Sequence, residues 1–137
     1  MINHRITVGL STIYKKEGSS SDALPATGIT GILDYLISTP AILTMIIEAS
    51  SALLDPLLPE GYITVGKNIE LSHENPTMVD GTISIVLTVT GVGGNRIHLN
   101  FSGHDAIGEV CKGRYERVIV KQNDLLDVVY KRTQSMP

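Results

Sequence analysis

The chain has 137 residues, 42% of them apolar and 18% charged, with a formal net charge of −3. That length suits one domain around one core, and the composition is too apolar for a disordered chain. The mildly acidic balance offers no basic face for a general nucleic-acid binder. Cys111 is the only cysteine, which excludes an intrachain disulfide and a cysteine-rich metal site.

The core has to be aliphatic, because the chain holds one Phe and no Trp. No basic segment followed by a long apolar run opens the chain, so a secretory signal is not expected and a reducing cytoplasm is the expected compartment. The longest apolar stretch, Pro40 to Leu58, is interrupted by Thr44, Glu48, Ser50, Ser51 and Asp55. It reads as too polar for a membrane span.

In chain order, residues 4–14 alternate weakly and predict a first strand. Lys15 to Asp22 is low in complexity and reads as a mobile loop. Ile29 to Ile37 predicts one or two helical turns. Ser38-Thr39-Pro40 is a helix start: a hydroxyl caps the free N–H groups, and Pro sits where its missing N–H costs nothing. The helix runs to Leu54, apolar around most of its circumference and so wrapped by other elements. Asp55-Pro56 and Pro59-Glu60-Gly61 end it.

After Gly61 the period changes to two. Ile83, Ile85, Leu87 and Val89 share one face; Ile97, Leu99 and Phe101 share the next, beyond a turn at Gly91 to Asn95. A turn at Asp105 to Gly108 precedes a strand from Glu109 to Lys121. A short helix from Asn123 to Arg132 follows, with Asn123 as its cap. Strand, long buried helix and about four strands make a single α+β domain, an antiparallel sheet wrapped around one long central helix. This is the hotdog arrangement. Its free edge strand suits pairing with a second copy, so a homodimer or higher oligomer is expected.

Thr39-Pro40-Ala41 leading to Glu48-Ala49 resembles the central-helix signature of the fluoroacetyl-CoA thioesterase-like hotdog family. Val65-Gly66 followed by His73, and Gly103-His104-Asp105 leading to Gly113-Arg114-Tyr115-Glu116-Arg117, are similar to its later motifs. The resemblance spans roughly residues 39–132. It implies hydrolysis of an acyl-CoA thioester at a dimer-associated site, with no cofactor beyond the coenzyme A of the substrate. It also implies roles: Glu48, His73 and Thr39 as the catalytic set, Gly66 lining the acyl pocket and Arg117 near it. Two departures stand out. Eight residues separate Thr39 from Glu48 where the family pattern has seven, and Tyr115 stands where the family has His. The family's fluoroacetyl-specific activity goes with an aromatic lid before the helix. Here that stretch holds only Tyr35, so fluoroacetyl specificity is not expected; few aromatics and many Ile, Leu and Val suggest a small or aliphatic acyl group.

Read physically, Glu48 is the only ionisable residue between Pro40 and Leu54, costly to bury without a partner. Thr44, Glu48, Ser51 and Asp55 also recur at helical spacing and could form a solvated stripe. His73 ends a strand, where a rigid element can aim an imidazole suited to proton transfer near neutrality; an exposed loop histidine is the plainer reading. Gly66 lies inside a strand, as an oxyanion-facing N–H or as a simple bulge. Thr39 is most simply a helix cap, with Thr44 as the alternative hydroxyl.

Lys112 and Arg114 share one strand face and Arg117 the other; they could hold phosphates or form a solvated face. His104-Asp105 reads as turn structure. No metal motif emerges. The Gly91-Val92-Gly93-Gly94 run lacks the Lys-Ser/Thr of a phosphate loop. Two other functions compete with hydrolysis. A hotdog dehydratase or hydratase would need an acid where Asn68 stands, and a non-catalytic module would bind acyl-CoA or another small ligand without turnover.

Overall fold

The computed structural model describes residues 3–23 and 31–135. Its elements are β1 (Ser11–Glu17), α1 (Thr39–Leu54), β2 (Tyr62–His73), β3 (Thr82–Gly93), β4 (Arg96–His104), β5 (Glu109–Lys121) and α2 (Gln122–Gln134). Short 3-10 turns lie at Ser20–Asp22, Gly31–Tyr35 and Asp55–Leu57. The five strands form one antiparallel sheet in the order β1-β3-β4-β5-β2. The meander β3-β4-β5 is its centre, and β1 and β2 are its two edges.

Alternation dictates which face is buried. Ile83, Ile85, Leu87 and Val89 of β3 and Ile97, Leu99 and Phe101 of β4 point inward. Ile42, Met45, Ile46, Ala49 and Leu54 of α1 join them in one core. Each buried aliphatic side chain contributes about 1.5–3 kcal/mol. By length and hydropathy alone Thr39–Leu57 is apolar enough to cross a membrane, so its polar interruptions do not exclude a span as the sequence reading held. Its place as the core helix accounts for its apolar character.

Four expectations need correction. The first strand starts at Ser11 and continues through Glu17, so part of the expected mobile loop is paired, with Lys15 opposite Ser84 and Lys16 opposite Ile83. The charges suit an edge strand, where one face stays in solvent. The expected turns at 29–37 begin outside the described residues and are 3-10 at Gly31–Tyr35. The helix α1 is not wrapped all round: Thr44, Ile47, Glu48 and Ala52 are exposed. Finally, Asn123 does not cap α2; the cap position is Lys121 and makes no side-chain cap bond. The helix α2 is exposed along its whole length and is tied at its base by Gln122 N–H donating to the Gly61 carbonyl at 2.9 Å.

One irregularity sets up the site. The β2–β5 register shifts between Gly66 and Asn68. Before the bulge the even positions Thr64 and Gly66 point to the inner face, Gly66 against Tyr115. After it the odd positions Ile69, Leu71 and His73 are the less exposed ones. A bulge of one residue exchanges the two faces of a strand. It is what lets both Gly66 and His73 point to the inner face of the sheet.

Candidate active site

Ser38 opens α1 with an extended backbone, and its Oγ accepts from Ala41 N–H at 3.2 Å. The cap is therefore Ser38, not Thr39. That frees the next hydroxyl, and Thr39 Oγ1 lies 2.8 Å from Nδ1 of His73. The other ring nitrogen, Nε2, is buried and meets no hydrogen-bond partner among the described residues. The pair borders a pocket of about 370 Å³ lined by Leu33, Leu36, Ile37 and Pro76. His73 is thus oriented at one nitrogen, buried and unpartnered at the other, and lines an apolar cavity, a setting suited to proton transfer.

Glu48 goes elsewhere. Its Oε2 accepts from Tyr14 OH at 3.0 Å and Lys16 Nζ at 3.2 Å, both on β1. Burial, and then the Glu48 hydrogen bond, raise the Tyr14 phenol above its ordinary range. Helix geometry explains the direction. From Thr39 to Glu48 is nine steps, about two and a half turns, so the two side chains leave opposite sides of α1. Thr39 looks to β2 and Glu48 to β1, at opposite edges of the sheet.

A second polar cluster lies at the other end of α1. Arg117 is only 2% exposed. Its Nε donates to Thr64 Oγ1, its Nη2 to the Thr64 carbonyl and Ser51 Oγ, and its Nη1 to Tyr115 OH, at 2.7–2.9 Å. Thr64 Oγ1 in turn donates to Asp55 Oδ1 at 2.7 Å, so the buried cation reaches a carboxylate through one hydroxyl. Tyr115 lies under the guanidinium, 5.3 Å from ring centre to Cζ. A Cβ on residue 66 would run into the Tyr115 hydroxyl, which gives Gly66 a reason of its own.

Gly66 and Arg117 thus belong together, but they are seven residues along β2 from His73, roughly 20 Å at the rise of a strand. Lys112 and Arg114 face outward, paired with Glu74 at 3.6 Å and Glu70 at 2.6 Å. Asn68 is exposed on that outer face too, so it is no partner for His73. Asp105 closes its turn by accepting from Ile107 and Gly108 N–H, bonds that hold its carboxyl below the usual range, chiefly through Gly108.

The family model described as fluoroacetyl-CoA-specific thioesterase (FlK) matches residues 21–123. The chain belongs to the FlK thioesterase family. As a member of the FlK family it is a thioester hydrolase. A hot-dog-like protein from Thermanaerovibrio acidaminovorans is 32% identical, with 91% of each chain covered and a TM-score of 0.82. A point mutant of FlK itself superposes with a TM-score of 0.86 at 17% identity, covering 93% of this chain and 98% of that one. A Thermus thermophilus hypothetical protein, a thioesterase superfamily member, gives 0.81 at 17% identity over 95% and 94%. A search of curated proteins found no match.

Against the FlK-family pattern, the structure unites Thr39 with His73 and Gly66 with Arg117, and leaves Glu48 apart. Sequence reasoning missed Ser38 as the cap, Tyr14 and Lys16 as Glu48 partners, and the Ser51, Thr64 and Asp55 shell of Arg117. The extra residue between Thr39 and Glu48 was the signal for the second of these.

Proposed function

We propose that this chain hydrolyses small or aliphatic acyl-CoA thioesters with the Thr39–His73 pair as its working groups. The observation that carries this reading is the 2.8 Å bond at His73 Nδ1 combined with the buried, unpartnered Nε2. With Nδ1–H donating to Thr39, Nε2 keeps its lone pair for water. Nε2 takes a proton as the water oxygen adds to the thioester carbon. The C–S bond then breaks, and the proton passes to the departing thiolate, leaving free acid and CoA–SH. The aliphatic lining of Leu33, Leu36 and Ile37 supports a small apolar acyl group. Solved FlK structures hold fluoroacetate with CoA in one case and acetyl-CoA in another, which supports the substrate class.

We further infer that two copies pair through β2. That strand has 12 residues and a neighbour on one side only. An open edge of that length invites pairing. The helix α2, with exposed Leu126, Val129 and Tyr130, starts beside that edge. Antiparallel pairing about Glu70 keeps Ile69 opposite the partner's Leu71 on the inner face and, with Lys67 as the extra residue of the bulge, sets Gly66 and Lys67 together opposite the partner's His73. Directly paired residues lie about 4.5–5.5 Å apart, so this register turns a separation of roughly 20 Å into a contact. The site then takes Thr39 and His73 from one protomer and Gly66 with its Arg117 cluster from the other.

The test is thiol release over acyl-CoAs of graded chain length, with His73→Ala as control. Turnover in the native chain and its loss by at least about a hundredfold in the variant support the reading. Tight CoA binding without thiol release would sink it.

A further inference from the structure

We propose that Tyr115 is a catalytic residue, its phenol donating a hydrogen bond to the thioester carbonyl through the gap left by Gly66. The side chain is 5% exposed and sits between Ile69 of β2 and Leu99 of β4. Its oxygen accepts from Arg117 Nη1 at 2.9 Å. A guanidinium has no acceptor, so the phenol proton has to point elsewhere. Among the described residues no group accepts it. The oxygen occupies the space a Cβ would fill at Gly66, and Gly66 is exposed on the free edge strand. The buried hydroxyl therefore lies next to an exposed glycine on the edge where β2 pairs.

The donor is also held still. Arg117 is fixed by Thr64, Ser51 and, through Thr64, Asp55, so the phenol is oriented before substrate arrives. A preorganised donor aimed at developing negative charge is the largest kind of catalytic effect a neutral group can supply. Donation from a cation into the phenol oxygen polarises its O–H and strengthens it as a donor. In the β2-paired arrangement this hydroxyl lies across from the partner's His73, so one group takes the proton of water while the other holds the carbonyl oxygen. This inference rests on the thioester reading and on the two-protomer site.

The experiment is steady-state thiol release with the acyl-CoA the native chain turns over best. Tyr115→Phe is expected to lower kcat about a hundredfold with KM within about threefold, the pattern of a lost transition-state donor. Gly66→Ala pushes the hydroxyl aside and is expected to match it. The decisive variant is Gly66→Ala with Tyr115→Phe, in which the severe clash with the hydroxyl is removed and the new methyl meets only ring carbons at 3.3 Å, a contact that a shift of a few tenths of an ångström relieves. A donor role predicts no recovery; a purely structural tyrosine predicts recovery to near native kcat, which would overturn the proposal. The double variant also carries the test should Tyr115→Phe alone fail to fold. An active native chain with Tyr115→Phe within about twofold of it defeats only the Tyr115 role. A native chain that releases no thiol from any acyl-CoA defeats the thioester reading and this inference together.

Discussion

Thr39 and Ser38 are neighbours in sequence with separate tasks: Ser38 Oγ caps α1, while Thr39 Oγ1 lies 2.8 Å from His73 Nδ1. The division is testable by crossing two readouts. Ser38→Ala should destabilise the fold by about 1 kcal/mol, the usual worth of a cap, and leave kcat nearly intact. Thr39→Ala should leave the melting temperature nearly unchanged and lower kcat by about tenfold or more, as expected when a general base loses its orienting group. Thr39→Ser should keep activity.

Glu48→Gln should behave differently from His73→Ala. Glu48 bonds Tyr14 and Lys16, and its side chain is 42% exposed. An exposed pair of this kind is worth about 0–1 kcal/mol. The variant is expected to retain kcat within about threefold, since the residue leaves α1 on the side away from Thr39. A loss as large as that of His73→Ala would return Glu48 to the catalytic set.

Arg117 should be intolerant of substitution. Its hydrogen bonds run to Thr64, Ser51 and Tyr115, and among the described residues no carboxylate lies within ion-pair distance of it. Arg117→Met strands these acceptors and uncouples Asp55, at a cost of about 3–5 kcal/mol by analogy with broken buried charge networks. Arg117→Lys cannot reproduce the planar fork and should not rescue it. Denaturant unfolding measures both.

Removing the bulge should cost more than altering its side chain. Lys67→Ala leaves the register shift between Gly66 and Asn68 in place and is expected to be near neutral. Deleting Lys67 restores simple alternation, so either Gly66 or His73 must turn to the outer face. Thiol release is expected to vanish in the deletion variant even where circular dichroism shows the sheet intact.

Cys111 gives the fold a pH dependence. Burial pushes its thiol up to about 11. The raised value means the fold favours the protonated form. That contribution is fully present below the ordinary thiol range and is lost as pH rises through about 11. Unfolding free energy should fall between about pH 9 and 11 in the native chain and fall less in Cys111→Ala. At neutral pH the thiol should resist alkylation until the protein unfolds.

The fold was largely legible because period-two runs such as Ile83 to Val89 and the capped apolar helix at Ser38–Leu54 are long, local signals. The site was less so. Nothing local distinguishes Ser38 from Thr39 as the cap, since both hydroxyls suit the position. The bulge at Lys67 depends on pairing with β5, so the inward turn of His73 could not be read from alternation. The nine-step interval from Thr39 to Glu48 was readable, and helix arithmetic alone places the two on opposite sides. Family spacing outweighed that arithmetic at Glu48. Tyr115 was noticed only as a departure, because its closeness to Gly66 joins positions 49 residues apart in sequence.

The most direct measurement of the central claim is complementation between two inactive variants, His73→Ala and Gly66→Val, unfolded together and refolded. In a mixed dimer one of the two sites receives an intact His73 from one chain and an intact Gly66 from the other. Random reassociation should then restore about a quarter of native thiol release, because half of the dimers are mixed and each has one good site. No recovery from a mixture shown to contain mixed dimers would contradict the two-protomer site.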